Sequence, residues 1–370
     1  MDFSLSTEQE LVRRTFFEFA KDEIRPIARK LDEEPQFPMA LFQRVAGLGF
    51  FGMRYPEPYG THTDLQTYLL AVEELAWGSL SVAASCTMQS LMGTHFLFRF
   101  ASQDIRERLF LPALLGQKIG TICMTEPDAG SDLLSMKTRA EETNGTYRIS
   151  GSKTWITSAP VADFFSVFAR TGEKSLGVFL LERNTPGVTI GKPIHKSGVR
   201  SSLTSEVFFD SAEATCVLGM PDQGISYLRE ILTEVRIMTA GLALGIARAA
   251  YEDAREWARQ RRQFGKPIEQ HQSVAAQLTD MATQLEAARH LVQYAAWRNT
   301  LKLPCTKEAS MAKLFASEAA HFICDHATRI VASHGFSTES AVQRYHRDVQ
   351  FLLFGGGTSE VLRFNIAREL

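Results

Sequence analysis

Apolar residues recur at helical spacing in the first third of the chain. Val12, Phe16 and Phe19 share one helical face, and Thr7 with Glu10 predicts a capping box in front of them. Further helices are predicted at residues 42–51, 65–77 and 105–115. The pattern therefore predicts an N-terminal region built from short helices.

The pattern changes near residue 120. Short segments rich in β-branched and aromatic residues follow, and turn residues such as those at 143–146 and 184–187 separate them. The candidate strands span residues 147–149, 154–157, 164–169, 177–181, 188–190 and 206–209. This spacing is typical of a small antiparallel barrel or sandwich.

Long helices are predicted from residue 223 to the end of the sequence. One apolar stripe consists of Val274, Leu278, Met281, Leu285, Ala288 and Leu291, and a second runs from Phe315 to Ile330. Long helices with one apolar stripe are typical of a bundle. The sequence thus predicts an α+β chain, with a helical domain at 1–118, an antiparallel β domain at 119–220 and a helical bundle at 221–370.

Composition narrows the functional classes. The 370 residues are 45% hydrophobic and carry a formal net charge of −2, so charge gives no support for a nucleic-acid or membrane partner. We also expect no signal segment and no membrane span. The cysteines are Cys86, Cys123, Cys216, Cys305 and Cys324. Their spacing favours structural thiols in a reducing cytoplasm over disulfides or a metal site.

Residues 123–132 read Cys-Met-Thr-Glu-Pro-Asp-Ala-Gly-Ser-Asp. The string ends a predicted strand and opens a loop of small residues. Gly130 permits a positive φ there, and the backbone N–H groups around Ala129 and Ser131 can approach a ligand closely. An ordinary β-turn explains Gly-Ser-Asp alone, whereas the whole string is far more specific.

Two further motifs carry candidate binding chemistry. On the predicted strand at 153–157, alternation places Trp155 and Thr157 on the same face, where an indole can stack on a planar ring beside a hydroxyl. An isolated Trp is more often a core residue. The string Arg-Arg-Gln-Phe-Gly at 261–265 precedes His271 and Gln272, and its Arg is suited to phosphate oxygens, although such a residue is usually a solvated charge.

These motifs, in this order, resemble the acyl-CoA dehydrogenase family over nearly the whole chain. The resemblance implies N-terminal helices, a central β domain and a C-terminal four-helix bundle, with FAD between the last two. It also implies a homodimer or homotetramer, because side chains at the third motif reach the FAD pyrophosphate of a neighbouring subunit. The implied cofactor-binding residues are Met124, Thr125, Gly130, Ser131, Trp155, Thr157, Arg261, Phe264, His271, Gln272, Arg329 and Thr358.

The C-terminal motif departs from the family at one position. Registering residues 347–348 and 357–359 on the family's signature places Gly356 where a glutamate normally supplies the catalytic base. The resemblance still gives Gly356 a role, since its backbone N–H can polarise the substrate carbonyl. Some relatives carry the base beside the arginine that Arg236 matches, but that position here is Val235.

Two nearby carboxylates are weak substitutes for the missing base. Glu234 adjoins Val235, but one helical step turns its side chain by about 100° from the line facing the pocket. Glu360 lies about one helical turn beyond Gly356. We therefore expect that the base is relocated, replaced by water, or unnecessary, as it would be for a substrate whose departing proton sits on oxygen or nitrogen.

The function that the resemblance implies is an FAD-dependent oxidoreductase acting on CH–CH groups of an acyl thioester. The thioester is carried by CoA or by an acyl carrier protein, and the electron acceptor is an electron-transfer flavoprotein or O₂. One alternative is a flavin-dependent monooxygenase on the same scaffold. Another is a non-catalytic subunit that pairs with an active paralogue.

Overall fold

The computed structural model describes residues 4–370. Its first region consists of helices joined by short 3₁₀ and π-helical segments, as predicted. The helices are α1 Thr7–Phe19, α2 Ala28–Glu33, α3 Met39–Gly47, α4 Leu65–Gly78, α5 Leu80–Thr87, α6 His95–Phe100, α7 Gln103–Ile105 and α8 Leu111–Leu114. Helix α4 is buried over nearly its whole length and packs against α1 and α5.

The predicted capping box at the start of α1 is wrong by one residue. Ser6 is the N-cap, with an extended backbone, and its Oγ accepts a hydrogen bond from the Gln9 N–H at 3.2 Å. The Gln9 Oε1 accepts in return from the Ser6 N–H at 3.0 Å. Thr7 is already helical, so its hydroxyl cannot serve this role.

The middle region is one curled eight-stranded sheet. Its strands are β1 Gly120–Cys123, β2 Arg139–Thr143, β3 Thr146–Thr157, β4 Phe164–Arg170, β5 Leu176–Glu182, β6 Val188–Ile190, β7 Thr204–Glu213 and β8 Cys216–Val217. The path runs β6-β7-β3-β2-β4-β5-β8, and β1 pairs with β4. The sheet is antiparallel as predicted, except that β1 and β2 pair with β4 in parallel.

Three long helices form the last region and confirm the predicted helical domain. They are α9 Gly224–Gln260, α10 Gln272–Thr300 and α11 Thr306–Val331; the strands β9 Arg262–Gln263 and β10 Lys266–Pro267 form a hairpin between α9 and α10. The short helices α12 Ala341–Asp348, α13 Gln350–Phe354 and α14 Ser359–Ala367 complete the domain. Helix α11 packs against both α9 and α10, and α9 also packs on α4.

The start of the C-terminal motif anchors this domain to the sheet region. Arg347 pairs with Asp32 and donates to the Ser197 carbonyl at 2.7 Å. The buried Asp348 carboxylate accepts the Val199 N–H at 2.6 Å. These contacts fix the C-terminal helices beside the loop that precedes β7.

The described residues show the state of the cysteines, the apolarity of the helices and the grouping of metal-binding side chains. All five cysteines are free thiols, and four of them are buried. Within residues 4–370, no helix has the length and apolarity that crossing a bilayer requires. The same residues contain no group of three His, Cys, Asp or Glu side chains able to hold a metal ion.

Candidate functional site

The loop that follows β1 is tied directly to β3. The Thr154 N–H donates to the Thr125 carbonyl at 2.9 Å, so the loop lies alongside the strand that carries Trp155. The Lys153 ammonium, which is fully buried, donates to the Met124 carbonyl at 2.9 Å. The structure therefore brings together the first two motifs that the sequence singled out.

A buried ion pair that the sequence analysis missed holds this loop in shape. The Glu126 carboxylate accepts from the Lys153 ammonium at 2.9 Å and from the backbone N–H groups of Lys137 and Thr138 at 2.5 and 2.9 Å. Burial alone would raise the pKa of Glu126, but these donors outweigh it and lower the pKa below its ordinary value. The sequence contained no clear signal for this pair, because simple alternation along the strand would place Lys153 on the same face as Trp155.

Trp155 stands out from the sheet at a β-bulge. The register of β3 against β7 shifts between Lys153 and Ile156, so one extra residue is inserted there. Trp155 adopts a left-handed φ of 58° and leaves 58% of its surface exposed. Ile156 is buried, whereas Thr157 is only partly buried, so Trp155 and Thr157 both lie on the more open face.

These residues fit a planar cofactor such as FAD. An exposed indole beside a partly buried hydroxyl offers a stacking surface with a polar edge. Gly130 has open space where a side chain would project, and Ser131 beside it is exposed, so backbone N–H groups of the loop are accessible. The donor set is therefore consistent with the flavin site that the resemblance implies.

The third motif forms an exposed hairpin after α9. Arg261 caps the C-terminus of α9, and the Phe264 side chain beyond it is 93% exposed. The His271 Nε2 lies 3.1 Å from the Gln263 carbonyl oxygen, and Gln272 begins α10. The single chain thus presents these side chains to solvent rather than to its own flavin loop.

Gly356 lies in a run of three glycines between α13 and α14. Its φ is +73°, a conformation that favours glycine. A Cβ at this position would lie 3.0 Å from the Thr239 Oγ1 and 3.6 Å from Val235 Cγ1, so Gly356 faces helix α9. Within residues 4–370 the Gly356 N–H has no protein acceptor, which leaves it available to a ligand carbonyl.

Two buried cations contact or belong to helix α11, and one of them also contacts the glycine run. The Lys313 ammonium of α11 donates to the Gly357 carbonyl at 2.6 Å. Arg236 of α9 reaches the same helix, where its guanidinium donates to Ser310 Oγ at 3.2 Å. Burial lowers the pKa of both side chains, and the pKa of Lys313 falls to about 8.

Neither weak candidate base lies against Gly356. The Glu234 carboxylate pairs with the Arg54 guanidinium of the N-terminal region. The Glu360 side chain is 82% exposed and lies 3.9 Å from Arg363. Gly356 and Val235, the two positions at which the resemblance predicts a base, face each other, and neither has a carboxylate.

The last two predicted cofactor residues make local contacts in this chain. The exposed Arg329 side chain pairs with Asp325 one turn earlier on α11, at 2.7 Å. Thr358 is the N-cap of α14, and its hydroxyl accepts the Val361 N–H at 3.2 Å. Neither contact involves the flavin loop, so their cofactor roles stay predictions.

Comparison with known proteins assigns the fold to a family. Models of the acyl-CoA dehydrogenase N-terminal, middle and C-terminal domains match residues 6–117, 121–212 and 222–370. A benzylmalonyl-CoA dehydrogenase of Aromatoleum aromaticum is 53% identical over the full length of both chains. A 3-(aryl)acrylate reductase of Clostridium sporogenes is 36% identical, covering 98% of this chain and 99% of the relative.

A solved structure supports the same assignment. Butyryl-CoA dehydrogenase from Megasphaera elsdenii superposes with a TM-score of 0.96 at 34% identity, over 100% of this chain and 99% of that chain. The chain therefore belongs to the acyl-CoA dehydrogenase family, whose members are FAD-dependent oxidoreductases acting on CH–CH groups.

Proposed function

We propose that this member of the acyl-CoA dehydrogenase family oxidises acyl-CoA substrates that carry a carboxylate on the α-carbon, such as a benzylmalonyl thioester. The observation that carries the proposal is the absence of a carboxylate at both base positions, Gly356 and Val235. A malonyl-type substrate needs no base, because loss of CO₂ generates the same carbanion that deprotonation would. The 53% identity to a benzylmalonyl-CoA dehydrogenase supports this substrate class.

The proposed reaction balances without a protein base. The bond from the α-carbon to the carboxylate breaks, CO₂ leaves, and the electron pair stays on the α-carbon as an enolate. That pair then forms the α,β double bond as the β-carbon releases a hydride. A benzylmalonyl thioester would thus give CO₂ and a 3-phenylacryloyl thioester.

The chain supplies orientation and charge stabilisation. The unpaired Gly356 N–H is suited to hold the thioester oxygen, on which the enolate charge accumulates. Val235 gives the departing CO₂ an apolar neighbour. Trp155, Thr157, Thr125, Gly130 and Ser131 would hold FAD. The chemistry that FAD supplies when bound is acceptance of the hydride from the β-carbon.

The partners follow from the family. An electron-transfer flavoprotein is the acceptor that the proposal favours, and O₂ is the alternative. Arg261 and Phe264 would complete the cofactor site of a neighbouring subunit, which makes the active form a homodimer or homotetramer. We propose a cytoplasmic location, with CoA rather than a carrier protein as the thiol.

A matched pair of substrates tests the proposal. Benzylmalonyl-CoA and 3-phenylpropanoyl-CoA differ only in the α-carboxylate. Under anaerobic conditions, holoenzyme should bleach its flavin rapidly with the first and release CO₂. With the second, bleaching should be slower by about 10²- to 10⁴-fold, the usual contribution of a general base.

Two results would contradict the proposal. One is equal bleaching by the two thioesters, which would show that some group removes an α-proton after all. The other is a product that keeps its carboxyl group. Exchange of the α-hydrogen of 3-phenylpropanoyl-CoA in D₂O adds an independent measurement, because a base-free site should leave that hydrogen in place.

A further inference from the structure

Arg236 is a buried cation with unmet hydrogen-bonding capacity. Its residue is 7% exposed, and its guanidinium makes one protein hydrogen bond in the described part of the chain, to Ser310 Oγ. The buried Nε has no partner there. A guanidinium carries five N–H donors in a fixed fork, so most of this fork is free for a ligand.

Two other largely buried arginines, by contrast, are paired with carboxylates. Arg54 pairs with Glu234, and Arg248, on the same helix as Arg236, pairs with Glu74. The charge that most favours ionised Arg236 is Glu369, an exposed residue near the C-terminus. Leaving a buried charge unpaired is unfavourable, so a buried guanidinium with free donors is a candidate binder of an anionic ligand.

A second buried cation lies beside it. The Lys313 residue is fully buried, and its ammonium donates to the Gly357 carbonyl, one residue after the base position. Burial is the main cause of the lowered pKa of Lys313, and the nearby charge of Arg236 lowers that pKa further. The wall opposite Gly356 is formed by Val235 and Thr239, which are neutral. This part of the site therefore holds two positive charges without a buried carboxylate.

We infer that Arg236, supported by Lys313, is the specificity-determining residue that binds the α-carboxylate of the substrate. The inference rests on the proposed function and deepens it. In the usual arrangement a protein glutamate occupies this region, whereas here the substrate itself supplies the negative charge. A planar guanidinium is suited to a carboxylate because it can donate two parallel hydrogen bonds.

If Arg236 binds the α-carboxylate, its removal should change KM and kcat by different amounts. The carboxylate loses its charge as CO₂ departs, so Arg236 contacts it more strongly in the bound substrate than in the transition state. Removing such a contact raises KM more than it lowers kcat. A residue that acted mainly on the enolate would show the opposite split.

The experiment compares Arg236→Met, Arg236→Lys and Arg139→Gln holoenzymes. Arg139 is an exposed arginine on β2 that pairs with Glu141, so its variant controls for loss of one positive charge. The KM and kcat for benzylmalonyl-CoA and the dissociation constant of 3-phenylpropanoyl-CoA are measured for each. FAD content and the melting temperature report whether the site remains assembled.

We expect Arg236→Met to raise the KM for benzylmalonyl-CoA by about 10- to 100-fold, the range for a charge-assisted contact. Its kcat should change only a few-fold, and its affinity for 3-phenylpropanoyl-CoA should stay within about twofold of wild type. Arg236→Lys should recover part of the loss, and Arg139→Gln should match wild type.

Equal weakening of both thioesters, or loss of kcat at constant KM, would overturn the assignment to Arg236. If Arg236→Met lost its FAD, Arg236→Lys would carry the same comparison. These failures are distinct from failure of the proposed function. If the proposed function were wrong, the wild-type enzyme itself would show no preference for benzylmalonyl-CoA over 3-phenylpropanoyl-CoA, and substitutions at position 236 would not matter.

Discussion

At the residue scale, Gly356 allows a direct test of the missing base. In the proposed site, Gly356→Glu would place a carboxylate beside the α-carbon, so the variant should oxidise 3-phenylpropanoyl-CoA about 10²-fold faster than wild type, the lower end of what a base contributes. It should lose activity on benzylmalonyl-CoA, because the new charge repels the substrate carboxylate. Anaerobic flavin bleaching with each thioester measures both effects.

The same variant meets two structural obstacles. Its φ of +73° is unfavourable for a side chain, and the new Cβ would lie 3.0 Å from the Thr239 Oγ1. Adding Thr239→Ala removes that oxygen and should improve the gained activity, which makes the double variant the matched comparison. If both variants folded and still preferred benzylmalonyl-CoA over 3-phenylpropanoyl-CoA as strongly as wild type does, position 356 would not face the α-carbon.

The ionisation of Lys313 should make kcat/KM depend on pH. Its pKa is lowered to about 8, mainly by burial and to a smaller extent by Arg236, whereas Glu318 and Glu360 oppose the shift. Lys313 is therefore charged below about pH 8 and neutral above it. We expect kcat/KM for benzylmalonyl-CoA to fall about tenfold from about pH 7 to about pH 9 if the ammonium form alone binds the carboxylate.

The free energy of unfolding should change with pH in the opposite direction to kcat/KM. The folded pKa of Lys313 lies below its ordinary value, so its charge opposes folding, and stability should rise between about pH 8 and about pH 10. Lys196 provides a control, because burial also lowers its pKa to about 8 while it donates to the Ser202 carbonyl. Lys313→Gln should remove the inflection in kcat/KM, and an inflection that disappears with Lys196→Gln instead would refute the assignment.

Single residues were predictable where the motif itself specified them. The Gly356 gap and the neighbouring Val235 were read from the sequence, and the structure places the two opposite each other. Lys313 was missed because a lysine is normally assigned to the surface. Its position four residues after Ala309 and three before Ala316, both buried, was the available signal.

At the element scale, the loop of residues 124–131 depends on the ion pair between Glu126 and Lys153. Glu126→Gln would leave the buried Lys153 ammonium without its partner, and we expect a loss of about 3 kcal/mol or more in the free energy of unfolding. FAD affinity should fall as well, because the loop that is predicted to bind the flavin loses one of its anchors to β3. Denaturant unfolding and FAD titration measure the two effects.

The double variant Glu126→Gln/Lys153→Met should recover much of that stability, since it removes the orphaned charge. Asp128→Asn is the control within the same loop, because Asp128 and its partner Lys137 are both exposed. We expect its unfolding free energy to match wild type. Equal effects of the two single carboxylate changes would show that general loop charge, rather than the buried pair, maintains the loop.

Element types were more predictable than their ends. Periodicity identified the long helices and most strands, because burial on one face leaves a clear pattern. The strand β2, Arg-Ala-Glu-Glu-Thr, was missed because its sequence lacks apolar alternation and its ladder is supplied mainly by β3. The bulge at Trp155 was also invisible, since it depends on pairing with β7, which is distant in sequence.

At the scale of the whole molecule, α+β class and the order of the three regions were predicted and are confirmed. The assembly and the cofactor site that spans it stay predictions. The exposed Phe264 and its hairpin are consistent with a contact that one chain alone cannot make. An isolated sequence could not specify this geometry, because contacts between chains leave no local periodicity.

Subunit complementation tests the shared site. Trp155 is predicted to serve the flavin of its own chain, and Arg261 that of its neighbour. Trp155→Ala and Arg261→Ala homo-oligomers should therefore each retain FAD poorly. In a mixed dimer, one site combines both substitutions, whereas the other has native Trp155 and native Arg261. Co-expressed, differently tagged subunits should accordingly regain about half of the FAD content and activity per dimer, as reciprocal sharing in a twofold dimer requires.

The alternative arrangement gives a different result. If Arg261 served the FAD of its own chain, every site in the mixed dimer would carry one substitution, and no recovery would occur. Arg139→Gln mixed with Trp155→Ala gives the reference value for one intact site per dimer under either arrangement, since Arg139 is exposed and paired with Glu141 on β2. Light scattering must show the same oligomer in every mixture. Recovery of half the FAD content in the Trp155→Ala and Arg261→Ala hybrid would establish that two chains build each cofactor site, whereas no recovery in that hybrid, or full FAD occupancy in a monomer, would exclude it.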